Sequence, residues 1–313
     1  MISRTVLTAK EFGKVAVLMG GRSAEREISL TSGTAVLEAL LSQDINAYRV
    51  DTANDVNSQL RNGRFDRAFI VLHGRGGEDG EIQGVLSSLA IPYTGSDMTG
   101  AVLSMNKMIS KQIWLQQSLP TAQFEQVTVD TDAQILASRL GLPLFIKPVN
   151  EGSSIGMSKV NSASELSQAI ALATEYDAEV IAEQWIDGEE YTVAILKDTA
   201  LPTIQLKTPN EFYDFEAKYR SDTTEYLCPC GLSEQDELHC QQIALDAFKA
   251  LRMAGWGRVD FMRDKLGQFY LLEANSIPGM TDHSLVPMAA KEAGLSFADL
   301  VLKILETSME GTR

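Results

Sequence analysis

Short apolar runs alternate with helical patterns over the first third of this 313-residue chain. Because strands that alternate with helices form parallel sheets, this order predicts a wound α/β unit. In such sheets ligands bind at the carboxyl ends of the strands, which here are followed by glycine-rich loops. The predicted strands are Lys14–Met19, Asn46–Val50 and Arg67–Leu72, and the predicted helices are Glu25–Leu41, Val56–Arg61 and Gly84–Leu89.

The pattern changes after Gly95 and again near Gly188, which predicts domains at 1–95, 96–186 and 187–313. The central part reads as an α+β unit and the last part is rich in strands. The central elements are helices Ser104–Gln117, Ala133–Leu140 and Ser162–Thr174 and strands Leu144–Ile146, Met157–Val160 and Val180–Trp185. The last elements are strands Tyr191–Leu196 and Thr203–Lys207, helix Glu234–Leu251, and two terminal helical stretches separated by Gly294.

Two further strands near the end of the chain carry an unusual polar face. Residues two apart share one side of a strand, so a hairpin across Arg263–Gln268 brings four polar side chains together. The polar set is Arg258, Asp260, Glu273 and Asn275, and the opposite, apolar set is Val259, Phe261, Tyr270, Leu272 and Ala274. A slip by one residue would mix the two sets, so the pattern selects the register. Hard oxygen ligands of this kind suit Mg²⁺, and the alternative is a surface ion-pair ladder.

Composition and charge exclude some classes of protein. The chain has 44% hydrophobic and 22% charged residues, as ordinary globular proteins do. A net charge of −15 argues against a nucleic-acid partner, because no basic stripe could neutralise phosphates. No apolar run reaches membrane-spanning length, and the first ten residues lack the apolar core of a signal peptide, so we expect a cytosolic protein.

Two stretches invite a functional interpretation. Cys228, Cys230, His239 and Cys240 match no standard zinc spacing, so we interpret the cysteines as reduced thiols. The segment Thr208–Arg220 follows neither helical nor strand periodicity and carries four aromatic residues. Loops of this length inside compact domains are often lids, and its aromatic content favours a lid that packs when closed.

Motifs along nearly the whole chain together resemble one family, the D-alanine–D-alanine ligases of the ATP-grasp superfamily. They stand in family order as GGRSAERE at 20–27, LHGRGGEDG at 72–80, SMNK at 104–107, IKP at 146–148, EGSSIGMSKV at 151–160, FYDFEAKY at 212–219, GWGRVDFM at 255–262 and LLEANSIPGMTDHSLVP at 271–287. The resemblance implies an α/β, three-domain ATP-grasp architecture, in which two α+β domains sandwich ATP. It also implies a cytoplasmic homodimer that makes D-alanyl-D-alanine for peptidoglycan through an acyl phosphate.

The resemblance assigns a nucleotide site and a metal site. It implies that Asp260, Glu273 and Asn275 bind two Mg²⁺ or Mn²⁺ ions, and that Lys107 and Lys147 contact the phosphates of ATP. The remaining nucleotide contacts it implies are Glu183, Trp185 and Ile186 at adenine, Glu190 at the ribose, and Lys218 on the lid. Without the resemblance, Lys107 on a helix and Glu190 near a strand end would each read as solvated. Lys147 is different, because it closes a buried strand and a buried lysine requires an anion.

The resemblance also assigns the amino-acid site. Glu25 would anchor the ammonium group of the first D-alanine, through hydrogen bonds with Ser153 and Tyr219. Without the resemblance, the position of Glu25 in the first turn of a helix is fully explained by the favourable interaction of its carboxylate with the helix dipole. The other residues it implies are Arg258 for the acyl phosphate and the oxyanion, Ser284 for the carboxylate of the second D-alanine, and His73 and Gly279 in the substrate pocket.

Three hypotheses follow from these motifs. The first is the D-alanine ligase. In related ligases that accept D-lactate as the second substrate, a histidine replaces a tyrosine such as Tyr219. The second is another ATP-grasp ligase that joins a different carboxylate and amine. The third is a nucleotide-responsive binding protein without turnover, which is disfavoured because Arg258 and the metal ligands are all present.

Overall fold

The computed structural model describes residues 8–152, 155–208, 224–281 and 283–309. Within these residues the strands form sheets of three, four and six strands. A single 3-10 turn at Ala9–Phe12 precedes the first strand. None of the helices in the described ranges is long and apolar enough to cross a membrane.

The first sheet is parallel, as predicted. Strand β1 (Lys14–Met19) lies between β2 (Asn46–Asp51) and β3 (Arg67–Ile70), and pairs with both in parallel. Helix α1 (Arg26–Leu41) packs closely on β1 at Gly33, where an added Cβ would lie 2.5 Å from the Cβ of Met19. Only glycine allows this approach, which sets the helix close to the sheet.

The second and third sheets are antiparallel. The four-stranded sheet has the order β4-β7-β5-β6, with β4 Phe124–Val127, β5 Leu144–Pro148, β6 Ser158–Val160 and β7 Val180–Gln184. The six-stranded sheet has the order β11-β10-β8-β12-β13, with β9 beside β8. Its strands are β8 Gly188–Leu196, β9 Thr199–Ala200, β10 Ile204–Lys207, β11 Glu225–Leu227, β12 Trp256–Asp264 and β13 Phe269–Asn275.

The helices follow the predicted pattern with one exception. The predicted helix Ser104–Gln117 begins only at Lys107, because Asn106 is extended and its side chain accepts a hydrogen bond from the Ile109 N–H as the cap of this helix. Ser104 and Met105 instead end a separate helix, Met98–Met105, which the sequence did not predict. Besides α1, the helices are α2 Val56–Gly63, α3 Glu81–Ser88, α4 Met98–Met105, α5 Lys107–Gln116, α6 Ala133–Leu140, α7 Ala163–Thr174, α8 Glu234–Ala250, α9 Leu285–Glu292 and α10 Phe297–Thr307.

The hairpin β12–β13 has the predicted register over its polar end and departs from it afterwards. Arg258 pairs with Asn275 and Asp260 with Glu273, but Phe261 then pairs with Leu271. The prediction that Tyr270 and Leu272 share the apolar face is therefore wrong. A β-bulge reverses the alternation, since one extra residue shifts all later side chains to the other face. The buried residues of β13 are Phe269, Leu271 and Ala274.

The three sheets do not have three separate cores. The parallel sheet shares one continuous core with helices α9 and α10 and with one face of the six-stranded sheet. The other face of that sheet packs on α8 in a second core. The four-stranded sheet has a core of its own with α6 and α7. The first and last thirds of the chain are thus packed together, and the middle third is packed separately. All three cysteines, which lie in the described ranges, are free thiols.

Candidate active site

The polar face of the β12–β13 hairpin is a tightly paired cluster. The guanidinium of Arg258 donates two hydrogen bonds to the Asp260 carboxylate, from Nε and Nη2, at 2.8 Å each. Thr192 Oγ1 donates to the same carboxylate at 2.6 Å, and Asn275 Nδ2 donates at 3.1 Å. Asp260 is only 6% exposed, so the cluster is not a surface ion-pair ladder.

Lys107 contacts this cluster and is not solvated. It is the first residue of α5 and is buried. Its Nζ lies 3.3 Å from Glu273 Oε2 and donates to the Glu151 carbonyl at 2.6 Å. The lysine therefore links a carboxylate of the six-stranded sheet to the loop that follows β5. The motif EGSSIGMSKV, which is part of the family resemblance, begins in this loop.

A cavity of about 340 Å³ opens between the four-stranded and six-stranded sheets. We call it the inter-sheet cleft. Its walls come from β5, from the connection between β7 and β8, from the end of β10, and from the middle of β12 and β13. The predicted nucleotide residues that line it are Lys147, Glu183, Trp185, Ile186 and Glu190. Met262 and the bulged Leu272 add apolar surface, so both apolar and charged side chains line the cleft.

Lys147 has an anion inside the protein. Its Nζ lies 3.2 Å from Glu183 Oε2, and a second lysine, Lys111, lies 3.1 Å from the same oxygen. Although burial raises the pKa of Glu183, the two lysines lower it below its ordinary value. Burial lowers the pKa of Lys111 to about 8, against the opposing effect of Glu183. The requirement of Lys147 for an anion is thus met by Glu183, and sequence reasoning missed Lys111 because its helical context gives no sign of burial.

A second cavity, of about 330 Å³, lies between the loops of the parallel sheet and the segment that follows β13. We call it the loop cleft. The predicted substrate residues that line it are Glu25, His73, Arg258, Gly279 and Ser284. Glu273 lines both this cleft and the inter-sheet cleft. The two cavities therefore meet at the predicted metal ligands.

Glu25 directly precedes α1 and is 8% exposed. Two glycines surround its carboxylate. A Cβ added at Gly74, where φ is +70°, would lie 2.6 Å from Glu25 Oε2, and one added at Gly152 would lie 3.1 Å from it. Glycines at these positions leave room around the carboxylate at the wall of the loop cleft.

His73 and a neighbouring carboxylate hold the backbone of the segment after β13. His73 Nδ1 lies 2.8 Å from the Ile277 carbonyl, and Glu78 accepts a hydrogen bond from the Ile277 N–H at 3.4 Å. Glu78 also accepts from the Gly74 N–H at 2.7 Å, and the Ser32 hydroxyl accepts from the Met280 N–H at 3.2 Å. A loop of the parallel sheet and helix α1 thus fix one wall of the loop cleft.

The environment shifts the pKa values of His73 and Glu78, the two residues that hold the backbone at Ile277. Burial lowers the pKa of His73 and keeps the ring neutral, while the Glu25 carboxylate acts in the opposite direction. Burial, with the Glu25 carboxylate, raises the pKa of Glu78 to about 8. The side chain of Glu78 is half-buried and lines the loop cleft, so contact with water reduces the effect of burial on its pKa. Sequence reasoning missed Glu78, whose only signal is its place in the glycine-rich loop after β3.

Ser284 lies at the N-terminus of α9, where backbone N–H groups favour an anion. Its hydroxyl accepts a hydrogen bond from the Thr281 N–H at 2.9 Å. An added Cβ at Gly279 would lie 2.9 Å from the Ser284 oxygen, so this glycine lets the two segments come together. The arrangement suits a carboxylate.

A third cavity, of about 780 Å³, lies at the carboxyl ends of β1 and β3, as predicted for a wound sheet. It shares Glu25, His73 and Gly152 with the loop cleft. Ser153, Lys218 and Tyr219, with most of the predicted lid, lie outside the described residues. Within the described residues, no group of three or more His, Cys, Asp or Glu side chains could hold a metal. The predicted ligand set is of another kind, two carboxylates with one amide.

Comparison with known proteins identifies related sequences. Two family models match the chain: D-ala D-ala ligase C-terminus over residues 113–306 and D-ala D-ala ligase N-terminus over residues 48–96. A D-alanine–D-alanine ligase of Nitrosococcus oceani is 56% identical over 310 residues, covering 99% of this chain and 98% of the relative. One of Acinetobacter baumannii is 53% identical over 306 residues, covering 97% and 99%.

Solved structures agree. The D-alanine–D-alanine ligase of Bacillus anthracis matches with a TM-score of 0.86 and 34% identity, covering 95% of this chain and 97% of the other. Its structure complexed with ATP matches with a TM-score of 0.83 and 31% identity, with the same coverage. The VanG D-Ala:D-Ser ligase of Enterococcus faecalis matches with a TM-score of 0.82 and 28% identity, covering 94% and 99%.

Proposed function

This chain belongs to the D-alanine–D-alanine ligase family, and from that premise we propose that it joins two D-alanines at the expense of ATP. It is an ATP-grasp ligase, whose product is the dipeptide of peptidoglycan precursors. The observation that carries the proposal is the meeting of the two clefts at Glu273, between Lys107 and Asp260. A nucleotide in one cleft and an amino acid in the other would bring their reacting groups together there.

The reaction needs a phosphorylated carboxylate, because an amine cannot displace oxide from a carboxylate. ATP would lie in the inter-sheet cleft, with adenine at Glu183, Trp185 and Ile186 and the ribose at Glu190. Transfer of its γ-phosphoryl group to the first D-alanine gives ADP and an acyl phosphate. The second D-alanine then attacks the acyl carbon, and phosphate leaves. Such transfers are catalysed mainly by positioning and by neutralising charge.

The metal site fits this chemistry by its donor set. Asp260, Glu273 and Asn275 offer hard oxygens, the ligands of Mg²⁺ and Mn²⁺. In this structure Arg258 and Lys107 balance the charge of the two carboxylates. The divalent ions, two per site in our proposal, would supply charge neutralisation at the phosphates when bound.

The loop cleft would hold both amino acids. Glu25 binds the ammonium group of the first D-alanine, supported by Ser153 and Tyr219, and Gly279 contributes to this wall. Arg258 stabilises the negative charge that develops on the acyl phosphate and on the tetrahedral oxyanion, for which its fixed fork of donors is suited. The carboxylate of the second D-alanine meets Ser284 at the N-terminus of α9.

The cationic contacts to the phosphates come from several elements. In our proposal Lys147 approaches from β5 of the four-stranded sheet, Lys107 from the start of α5, and Lys218 from a lid at 208–220. The three sheets support domain boundaries near residues 95 and 186. The family further supports a homodimer that acts in the cytoplasm on small-molecule substrates.

The direct test supplies purified protein with ATP, Mg²⁺ and D-alanine and measures phosphate and dipeptide. We expect equal amounts of phosphate and D-alanyl-D-alanine, and no phosphate without D-alanine. A second assay replaces half of the D-alanine with D-serine. A mixed product formed faster than the D-alanine dipeptide would instead favour another ATP-grasp carboxylate–amine ligase. Absence of D-alanine-dependent phosphate release would reject the proposed function.

A further inference from the structure

Lys111 is a buried cation that the mechanism above does not use. It is 0% exposed, on α5, and its Nζ lies 3.1 Å from Glu183 Oε2. The same Nζ donates to Thr121 Oγ1 at 2.6 Å and to the Leu271 carbonyl at 3.4 Å. Lys111 therefore ties the four-stranded sheet to β13 behind the inter-sheet cleft. Because it is fully buried, it cannot itself reach a ligand.

Lys111 and Lys147 share a single oxygen. Glu183 Oε2 lies 3.1 Å from Lys111 and 3.2 Å from Lys147, and only Lys147 and Glu183 line the cleft. Two cations and one anion leave one positive charge in excess. That excess can serve an incoming phosphate only if Glu183 keeps a partner when Lys147 turns away. A buried carboxylate without a partner carries a large free-energy penalty.

We propose that Lys111 is a positioning residue that holds the charge of Glu183 and thereby releases Lys147 to bind the phosphates of the nucleotide. This inference rests on the proposed function, in which Lys147 contacts phosphate. Its consequence is specific. Without Lys111, Lys147 stays with Glu183, so the protein loses affinity for the phosphates but not for the nucleoside.

The test compares the dissociation constants of adenosine and of ADP with Mg²⁺, measured by calorimetry on the purified full chain. We expect Lys111→Met to weaken ADP at least tenfold and to change adenosine less than twofold. Lys111→Arg, which keeps the charge, should stay within about threefold of the wild type for both ligands. Lys197→Met is the matched control, because Lys197 pairs with Glu306, outside both clefts.

A structural role would give another result. If Lys111 only supported the packing, Lys111→Met would weaken adenosine and ADP by the same factor, and this would overturn the inference. The double variant Lys111→Met/Glu183→Gln removes both charges, so it leaves no buried carboxylate without a partner and provides a second test even if Lys111→Met fails to fold. It should return the ratio of the two dissociation constants to the wild-type value. If the double variant still bound ADP much more weakly relative to adenosine than the wild type does, this would also contradict the inference.

Lys147→Met separates this inference from the proposed function. It should weaken ADP at least tenfold with adenosine little changed. If it does so and Lys111→Met does not, the inference fails while the role of Lys147 stands. If Lys147→Met leaves ADP unchanged, the proposed contact between Lys147 and phosphate is wrong. Loss of dipeptide synthesis in the wild-type assay would reject the function itself.

Discussion

The two clefts are built in different ways. The inter-sheet cleft lies between two sheets with separate cores, and buried charges span its base from Lys147 through Glu183 to Lys111. The loop cleft lies above a core that the first and last thirds of the chain share, and backbone hydrogen bonds at Ile277 and Met280 hold its wall. One site thus depends on the pairing of side chains between strands, and the other on the docking of loops.

The difference suggests how each cleft can be perturbed. Changes in the inter-sheet cleft should alter the use of the nucleotide and leave the amino acids unaffected. Changes in the loop cleft should do the opposite. Only a residue at the junction of the clefts should affect turnover without affecting either binding step.

The largest effect is expected for Arg258→Ala, because Arg258 lines the loop cleft and pairs with Asp260 of the inter-sheet cleft beside that junction. Removal of a donor that stabilises an oxyanion lowers turnover by roughly a hundred- to a thousandfold. We expect kcat to fall by about this factor while ADP still binds, measured by phosphate release and by calorimetry. Arg263→Ala is the control, since Arg263 lies on the same strand but pairs with Asp236. Unchanged turnover in Arg258→Ala would contradict its proposed role.

The next effect separates the loop cleft from the inter-sheet cleft. Ser284→Ala removes a hydroxyl that we place at the carboxylate of the second D-alanine. A hydrogen bond to a charged group contributes about 1.5–3 kcal/mol, so the KM for the second D-alanine should rise roughly tenfold or more. The KM for ATP should stay the same.

The control for Ser284 is another serine at the start of a helix. Ser296 caps α10 through a hydrogen bond from the Asp299 N–H and lies outside both clefts. Ser296→Ala should lower stability by about 1 kcal/mol and leave both KM values unchanged. An increased KM for ATP in Ser284→Ala would mean that the clefts are not independent.

A smaller effect probes the inter-sheet cleft alone. If Glu190 binds the ribose hydroxyls, the wild type should use ATP about tenfold better than 2′,3′-dideoxy-ATP, and Glu190→Ala should lose this preference. The readout is the ratio of kcat/KM for the two nucleotides, which a general loss of stability does not change. A preference that survives in Glu190→Ala would place the ribose elsewhere.

The inter-sheet cleft was the easier of the two to predict from sequence. The alternation of polar and apolar residues in β12 fixes which side Asp260 faces, and its pairing with Glu273 follows from the register. The prediction failed at Leu272, because a β-bulge depends on tertiary fit and leaves no local mark. Lys111 was missed for a similar reason, since its burial comes from residues distant in sequence.

The loop cleft depends more on the family than on the pattern. Nothing local to Glu78 or Ser32 indicates that they hold the backbone at Ile277 and Met280, because these contacts join residues about 200 or more positions apart. The parallel direction of β1, β2 and β3 could be predicted, and with it the end of the sheet where the loops gather. Which side chains meet there could not.

The smallest predicted effect is the pH dependence of stability that comes from Glu78, which holds the backbone at Ile277. The pKa of Glu78 is raised from 4.5 to about 8 in the folded protein, first by burial and then by Glu25. Between these values the folded chain keeps a proton that the unfolded chain releases. The contribution of Glu78 to stability is therefore complete below about pH 4.5 and is lost as the pH rises to about 8.

Glu78→Gln keeps an uncharged side chain at every pH and so removes this dependence. Relative to the wild type, its free energy of unfolding should rise by about 1 kcal/mol between about pH 5 and pH 8.5. This corresponds to a pKa shift of less than one unit. The expected change is small because the side chain of Glu78 is partly open to water. Urea unfolding at several pH values measures the difference. The control is Glu38→Gln on the exposed face of α1, which should run parallel to the wild type. If Glu78→Gln also ran parallel, Glu78 would be ionised in the folded protein, and the wall of the loop cleft would be held by a charged carboxylate, much as the base of the inter-sheet cleft is.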